Sequence, residues 1–220
     1  MIRTLKFGRH AAASGHPRSL VIFVHGYGAN GADLLDIGQM LAPHLPDTAF
    51  VAPDAPERIP GAPFGYQWFP IPRFDGSTEA QAREGLLRAA ADLNAFADQR
   101  LAYEGLGPEA LAFVGFSQGA MMSLHVAPRR AVAPAAVVAI SGRLIAPELL
   151  PTEMQSRPPV LVMHGDQDEV VPFGEMADAA NALVAAGIET YGHVMQGMGH
   201  GISQDGLGSM LGFLKQFLPG

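Results

Sequence analysis

Ser117 stands between two glycines in Gly115-Phe116-Ser117-Gln118-Gly119, directly after the apolar run Leu111-Ala112-Phe113-Val114 and before a helical pattern. At a sharp strand-to-helix turn a serine is held in a strained conformation that a β-carbon at either neighbouring glycine would crowd, and its hydroxyl is left exposed above a sheet. With 26 glycines in the chain the five letters are easily met by chance, so the flanking strand and helix patterns carry the inference. A hydroxyl is a poor nucleophile near neutral pH and must pass its proton to a base, a role imidazole suits with an unperturbed pKa of about 6.5. A carboxylate must then hold that imidazole in the right tautomer and stabilise the imidazolium. The expected chemistry is acyl transfer through a serine ester.

In the α/β-hydrolase arrangement the chain order is Ser, then Asp or Glu, then His. Of eight histidines, His164, His193 and His200 qualify. His164 ends the apolar stretch Val160-Leu161-Val162-Met163-His164-Gly165, which suits a structural role. His193 falls in Glu189 to Val194, a pattern that predicts the last strand, with its side chain in the sheet packing. His200 lies in Gly197-Met198-Gly199-His200-Gly201, a loop able to swing an imidazole over the carboxyl edge of a sheet ahead of the final helix, and is the expected base. Asp166 and Asp168 occupy the loop after the Val160 strand, at the ligand-binding edge of an open sheet. Asp168 is the expected acid, because it leads into Glu169-Val170-Val171-Pro172, which resembles the acid loop of hydrolases of this fold, while Asp166 is better placed to cap the turn through its own side chain.

Charge building on a carbonyl oxygen needs prepositioned N–H donors. Gln118 supplies one main-chain N–H by position. The second is expected from Tyr27 in His25-Gly26-Tyr27-Gly28, the turn after an early strand. Because both donors are main-chain groups, Gln118→Ala should weaken turnover far less than Ser117→Ala. The same turn spells Gly26-Tyr27-Gly28-Ala29-Asn30-Gly31, with Asp54 near the end of the next strand, and so imitates a dinucleotide fingerprint. That reading would leave the serine turn, acid loop and histidine loop as unrelated coincidences.

Around these residues, short apolar runs alternate with helical patterns. Leu20 to Val24, Ala49 to Ala52, Leu111 to Phe116, Ala135 to Ile140 and Val160 to Met163 predict buried strands. Thr78 and Gln81 form a candidate capping box ahead of Leu86, Ala90, Leu93, Ala97 and Leu101 at helical spacing. Further helices are expected over Gln118 to Ala127, Glu175 to Ala186 and Gln204 to Leu218. The fold class is therefore α/β, with a mostly parallel sheet and helices on both faces. Pro53 to Gly76, with six prolines and Phe64, Tyr66, Trp68, Phe69 and Phe74, fits no element and is expected to fold over the sheet edge and line a pocket. Gly142 to Pro159 is short for a lid domain.

Two hundred and twenty residues at 48% hydrophobic content suffice for one domain spanning 1–220. A formal charge of −7 without basic runs argues against nucleic acid and against stable association with anionic membranes. The chain has no cysteine, which excludes disulfides and thiolate metal sites and fits the cytoplasm. The N-terminal stretch lacks the apolar region of a signal peptide, and no apolar run reaches membrane-helix length.

Taken together, the Ser117 turn, Asp168 before Val170-Val171-Pro172, Gly199-His200-Gly201, His25-Gly26 and Trp68-Phe69 make the chain resemble the phospholipase/carboxylesterase family of α/β-hydrolases from about Ser19 to Leu218. The resemblance implies Ser117, Asp168 and His200 as a catalytic triad, with Tyr27 and Gln118 at the oxyanion hole. It implies no metal and no organic cofactor. The substrate is expected to be a small-molecule carboxylic ester. Trp68, Phe69, Leu144 and Ile145 are candidate contacts to its acyl or alcohol part. Protein thioesterases of the family usually carry Leu and Asp in the first turn and Asp after Trp-Phe, where this chain has Tyr27, Ala29 and Pro70, so the pattern is closer to the bacterial carboxylesterases. Relatives are often dimers, which makes a homodimer one expected assembly.

Overall fold

The computed structural model describes residues 2–59 and 61–219. Met1, Pro60 and Gly220 fall within the expected 1–220 domain, and Pro60 within the proline-rich segment, but lie outside the described residues. In chain order the strands are β1 (Phe7–His10), β2 (Ser19–Val24), β3 (Thr48–Pro53), β4 (Glu57–Arg58), β5 (Tyr66–Gln67), β6 (Leu111–Phe116), β7 (Ala136–Ile140), β8 (Val160–Gly165) and β9 (Thr190–Met195). The α-helices are α1 (Ala32–Leu41), α2 (Pro72–Asp75), α3 (Glu79–Glu104), α4 (Gln118–Val126), α5 (Leu150–Glu153), α6 (Gly174–Ala185) and α7 (Gln204–Phe217).

Seven strands form one sheet in the order β1-β3-β2-β6-β7-β8-β9. Only β1 runs antiparallel, on β3; the other pairings are parallel. Successive side chains of a strand face opposite sides of the sheet. Leu20, Ile22 and Val24 therefore pack with Leu86 and Leu93 of α3, Met122 of α4 and Leu183 of α6. Val21 and Phe23 pack with Leu34 and Leu35 of α1 and Met210, Phe213 and Leu214 of α7 on the other side. Covered on both faces, β2, β3 and β7 have no use for polar alternation and are buried along their length. This is the α/β-hydrolase fold, and between β7 and β8 it carries only a 3₁₀ turn (Pro147–Leu149) and the short α5, with no large lid.

The capping box holds as expected: Thr78 N–H donates to Gln81 Oε1 at 2.8 Å, and Gln81 N–H to Thr78 Oγ1 at 3.2 Å. Two elements carry weak sequence signals. Helix α1 starts at Gly31 without a side-chain cap and contains Gly38, where a Cβ would lie 3.1 Å from Phe50 Cβ, so the absent side chain lets α1 sit close on β3. Strand β1 has no apolar alternation and is held by pairing with β3 and by the two hydrogen bonds from Arg9 to Glu104. The segment from Pro53 to Gly76 resolves into the β4–β5 hairpin and the single turn of α2.

Candidate active site

From β2 the chain moves outward to β3, and from β6 it moves the other way to β7, so these adjacent strands form a switch point with an open crevice beyond their carboxyl ends. Ser117 lies there, at φ 55° and ψ −118°. Strain of this kind costs on the order of 1–3 kcal/mol and persists only where surroundings impose it. Ser117 N–H donates to Ile140 O at 2.8 Å, and Ser117 O accepts from Ala120 and Met121 N–H at 3.0 and 3.2 Å. Both glycines of the motif are needed by packing: a Cβ at Gly119 would collide with Val24 O, and one at Gly115 with Gly119 O.

The acid loop follows β8 and the histidine loop follows β9, and main-chain contacts clip them together. Gln167 N–H donates to Met198 O at 3.0 Å, and Gly197 N–H to Asp166 Oδ1 at 2.7 Å. Asp166 therefore secures the histidine loop, a longer-range task than the capping of its own turn. Asp168 Oδ1 accepts N–H from Val170 and Val171, each at 2.9 Å, while Oδ2 accepts from His200 Nδ1 at 2.7 Å. Burial acts to raise the Asp168 pKa, but the bonds from His200, Val171 and Val170 outweigh it and hold the carboxyl below its ordinary value. The His200 ring packs on Phe116 at 4.8 Å between centroids, which sets the imidazole beside the residue preceding Ser117. Among the described residues no hydrogen bond joins Ser117 Oγ to His200 Nε2; such bonds commonly tighten only when substrate binds.

The turn after β2 passes against the serine, for a Cβ on Gly26 would lie 3.1 Å from Ser117 Cβ. Gly28 and Ala29 N–H donate to Tyr66 O and Gly26 O at 3.0 and 3.3 Å, whereas Tyr27 N–H has no backbone acceptor among the described residues. Gln118 N–H is the first of α4 and has no acceptor inside the helix. Two main-chain donors thus stand at the ends of adjacent strands.

The sequence pattern of the Phospholipase/Carboxylesterase family matches residues 10–218. The chain belongs to the phospholipase/carboxylesterase family. Among solved structures, esterase PE8 is 43% identical, with a TM-score of 0.92 over 98% of this chain and 100% of that one. Acyl-protein thioesterase 1 of Saccharomyces cerevisiae is 30% identical over 224 residues, covering 96% of this chain and 98% of the yeast protein. Esterase YpfH of Escherichia coli is 28% identical over 205 residues, covering 92% and 84%. The chain is thus a hydrolase with the fold of this family.

Within this member of the phospholipase/carboxylesterase family, Trp68, expected to touch substrate, supports the site from behind. Trp68 has no exposed surface; its Nε1–H donates to His25 O at 2.9 Å and its N–H to Gln118 Oε1 at 2.9 Å. Gln118 Nε2 donates to Phe69 O at 2.8 Å, and Phe69 is itself buried. Leu144 is buried in the core on the α3–α4 side, with Ile145 partly buried against it. Packing accounts for Trp68, while Phe69 and Leu144 keep 8% and 9% of their surface exposed. The expected pocket-lining loop is therefore pinned through its main chain, and Phe64 is left exposed.

His25 is a supporting residue that the motif reading passed over. Its Nδ1–H donates to Gly26 O at 2.7 Å and its Nε2 accepts from Ala55 N–H at 2.9 Å. Both nitrogens are then committed in the neutral form, and burial lowers the pKa despite the opposing bond to Gly26. Only its place at the end of a buried strand, next to the glycines, hinted at this.

His193 is not packed into the sheet. It lies part-exposed on the outermost strand, with Nε2 2.8 Å from Asp205 Oδ2 and Nδ1 3.1 Å from Ser209 Oγ. This second Ser-His-Asp set lacks an oxyanion hole, because Ser209 sits inside α7, where backbone N–H groups are used by the helix. The glycine-rich turn is likewise occupied by protein: Asp54 Oδ1 accepts Gly31 N–H at 2.9 Å, and Gly65 packs on the Gly28 carbonyl so closely that a Cβ would collide. These contacts explain the spelling without a dinucleotide.

Proposed function

We propose that this chain is a serine carboxylesterase acting on small to medium acyl esters, with Ser117 as nucleophile, His200 as base and Asp168 as the acid that orients it. Ser117 Oγ attacks the ester carbonyl while His200 Nε2 takes its proton, and the oxyanion receives the N–H groups of Tyr27 and Gln118. The same proton goes to the departing alcohol, leaving an acyl-serine that water, activated by His200, hydrolyses. The observation that carries this reading is the 2.7 Å bond from His200 to Asp168 with the ring seated on Phe116, next to a serine whose backbone is held at φ 55°. In this reading residues 1–220 act as one cytoplasmic domain on a small-molecule ester, and a homodimer is the expected assembly. None of the described helices is long and apolar enough to cross a membrane.

Similarity to yeast acyl-protein thioesterase 1 supports a second reading, in which a thiolate replaces the alkoxide as leaving group; lysophospholipase activity would use the same relay. A panel of oxygen esters and matched thioesters of graded acyl length separates these. The expected result is highest kcat/KM on short to medium oxygen esters. A preference for long-chain thioesters supports the second reading, and no turnover of any member contradicts both.

A further inference from the structure

Asp168 Oδ2 has a second imidazole within reach. His164, in the last turn of β8 before the acid loop, is 1% exposed, and its Nε2 lies 3.0 Å from Val171 O and 3.3 Å from Asp168 Oδ2. A carbonyl oxygen can only accept, so Nε2 carries hydrogen in whichever tautomer or charge state the ring adopts. That hydrogen is bonded to Val171 O, with Asp168 Oδ2 3.3 Å from the same nitrogen.

We infer that His164 is a positioning residue for the reaction proposed above, holding the acid loop through Val171 O so that Asp168 keeps Oδ2 toward His200. The carboxylate has four acceptor positions. Val170 and Val171 N–H fill those on Oδ1, and His200 Nδ1 takes one on Oδ2, beside which His164 Nε2 stands at 3.3 Å. Held by three donors, the carboxyl cannot rotate without losing a bond. His200 is then obliged to keep its hydrogen on Nδ1 and leave Nε2 free for Ser117. His164 ties the acid loop to itself, because its acceptor, Val171 O, belongs to the residue whose N–H holds Oδ1. The ring has one further neighbour in the loop, the edge of Phe173 at 6.1 Å between centroids, which keeps it upright without competing for Nε2.

Among the described residues, the basic side chains close to the Asp168 carboxylate are His200, bonded at 2.7 Å, and His164, 3.3 Å away. Asp166 is turned to Gly197 N–H. The device therefore has two replaceable parts, and substitutions at position 164 isolate one. His164→Leu removes the donor, whereas His164→Gln places an amide N–H near the position of Nε2.

The test combines steady-state kinetics with proton NMR of the His200 Nδ1–H. His164→Leu is expected to lower kcat about 10-fold with KM within twofold, and to broaden the His200 Nδ1–H resonance through faster exchange with water. His164→Gln is expected to restore most of both. Where the leucine variant does not fold, His164→Asn, whose amide is too short to reach Val171 O, takes its place and is expected to lose what glutamine retains. Unchanged kcat and an unchanged resonance in a folded variant overturn the inference, as does a loss that glutamine fails to restore. The resonance is read without turnover, so a protein with no esterase activity would overturn the proposed function while the NMR comparison still judges His164.

Discussion

On the β8–β9 side of the site, the groups that would move protons are side chains bonded to one another, with Asp168 Oδ2 2.7 Å from His200 Nδ1. On the β2–β6 side, the groups that would receive the carbonyl oxygen are main-chain N–H groups, and apart from Ser117 itself side chains enter only as supports: His25 under Gly26, Gln118 under Trp68 and Phe69. The two sides should therefore respond differently to substitution. Changing a side chain on the first removes a participant. On the second, the donor survives any substitution except proline, and what is lost is the stiffness of its mounting.

Asp168→Asn should have the largest effect here, lowering kcat/KM about 10⁴-fold by favouring the wrong His200 tautomer while leaving the fold intact. Paired rate and melting measurements check it. A loss below tenfold would mean that His200 does not depend on this partner, and the two sides would no longer differ as described.

Gln118→Ala tests the other side. Two buried main-chain groups, Trp68 N–H and Phe69 O, lose their partners, which should cost about 2–3 kcal/mol of stability. Turnover should fall only about 10-fold, since the Gln118 N–H remains and is displaced by a fraction of an ångström. A loss equal to that of Asp168→Asn would place the side chain itself in the chemistry.

Acid titration gives the smallest effect. His25 must be neutral to accept from Ala55 N–H, and its folded pKa is lowered by burial, so below about pH 6.5 the unfolded chain takes up a proton that the folded one resists. Stability contributed by neutral His25 is thus present above about pH 6.5 and is lost as pH falls toward the folded pKa. His25→Asn should reduce this loss by up to about 1.4 kcal/mol per pH unit, measured by denaturant unfolding at pH 7 and pH 5. His125, pushed down to about 4 chiefly by burial and then by Arg129, keeps some of the slope in the variant. An identical slope in both proteins would show that His25 is not held neutral by its bonds.

The same contrast explains what could be read without coordinates. Ser117, Asp168 and His200 announce themselves because glycines and apolar strand ends flank them, and because their residue types are the ones acyl transfer needs. The strands follow from their uninterrupted apolar runs. His25 and His164 carry the same residue type as His200, but their partners are main-chain atoms of Gly26, Ala55 and Val171, and main-chain partners leave no trace in composition or spacing. Trp68 looked like a wall of the pocket because aromatic loop residues often are; its burial comes from bonds to His25 and Gln118, residues 43 and 50 positions away. Helix α1 was hidden by Gly38, whose missing side chain is a packing requirement of β3, a strand later in the chain.

The most direct test is intact-mass spectrometry after treatment with a fluorophosphonate, followed by peptide mapping. Wild-type protein should gain one adduct, on Ser117, and Ser117→Ala should gain none while keeping the wild-type melting temperature. An adduct that persists in Ser117→Ala, or one that maps to Ser209, would contradict the account.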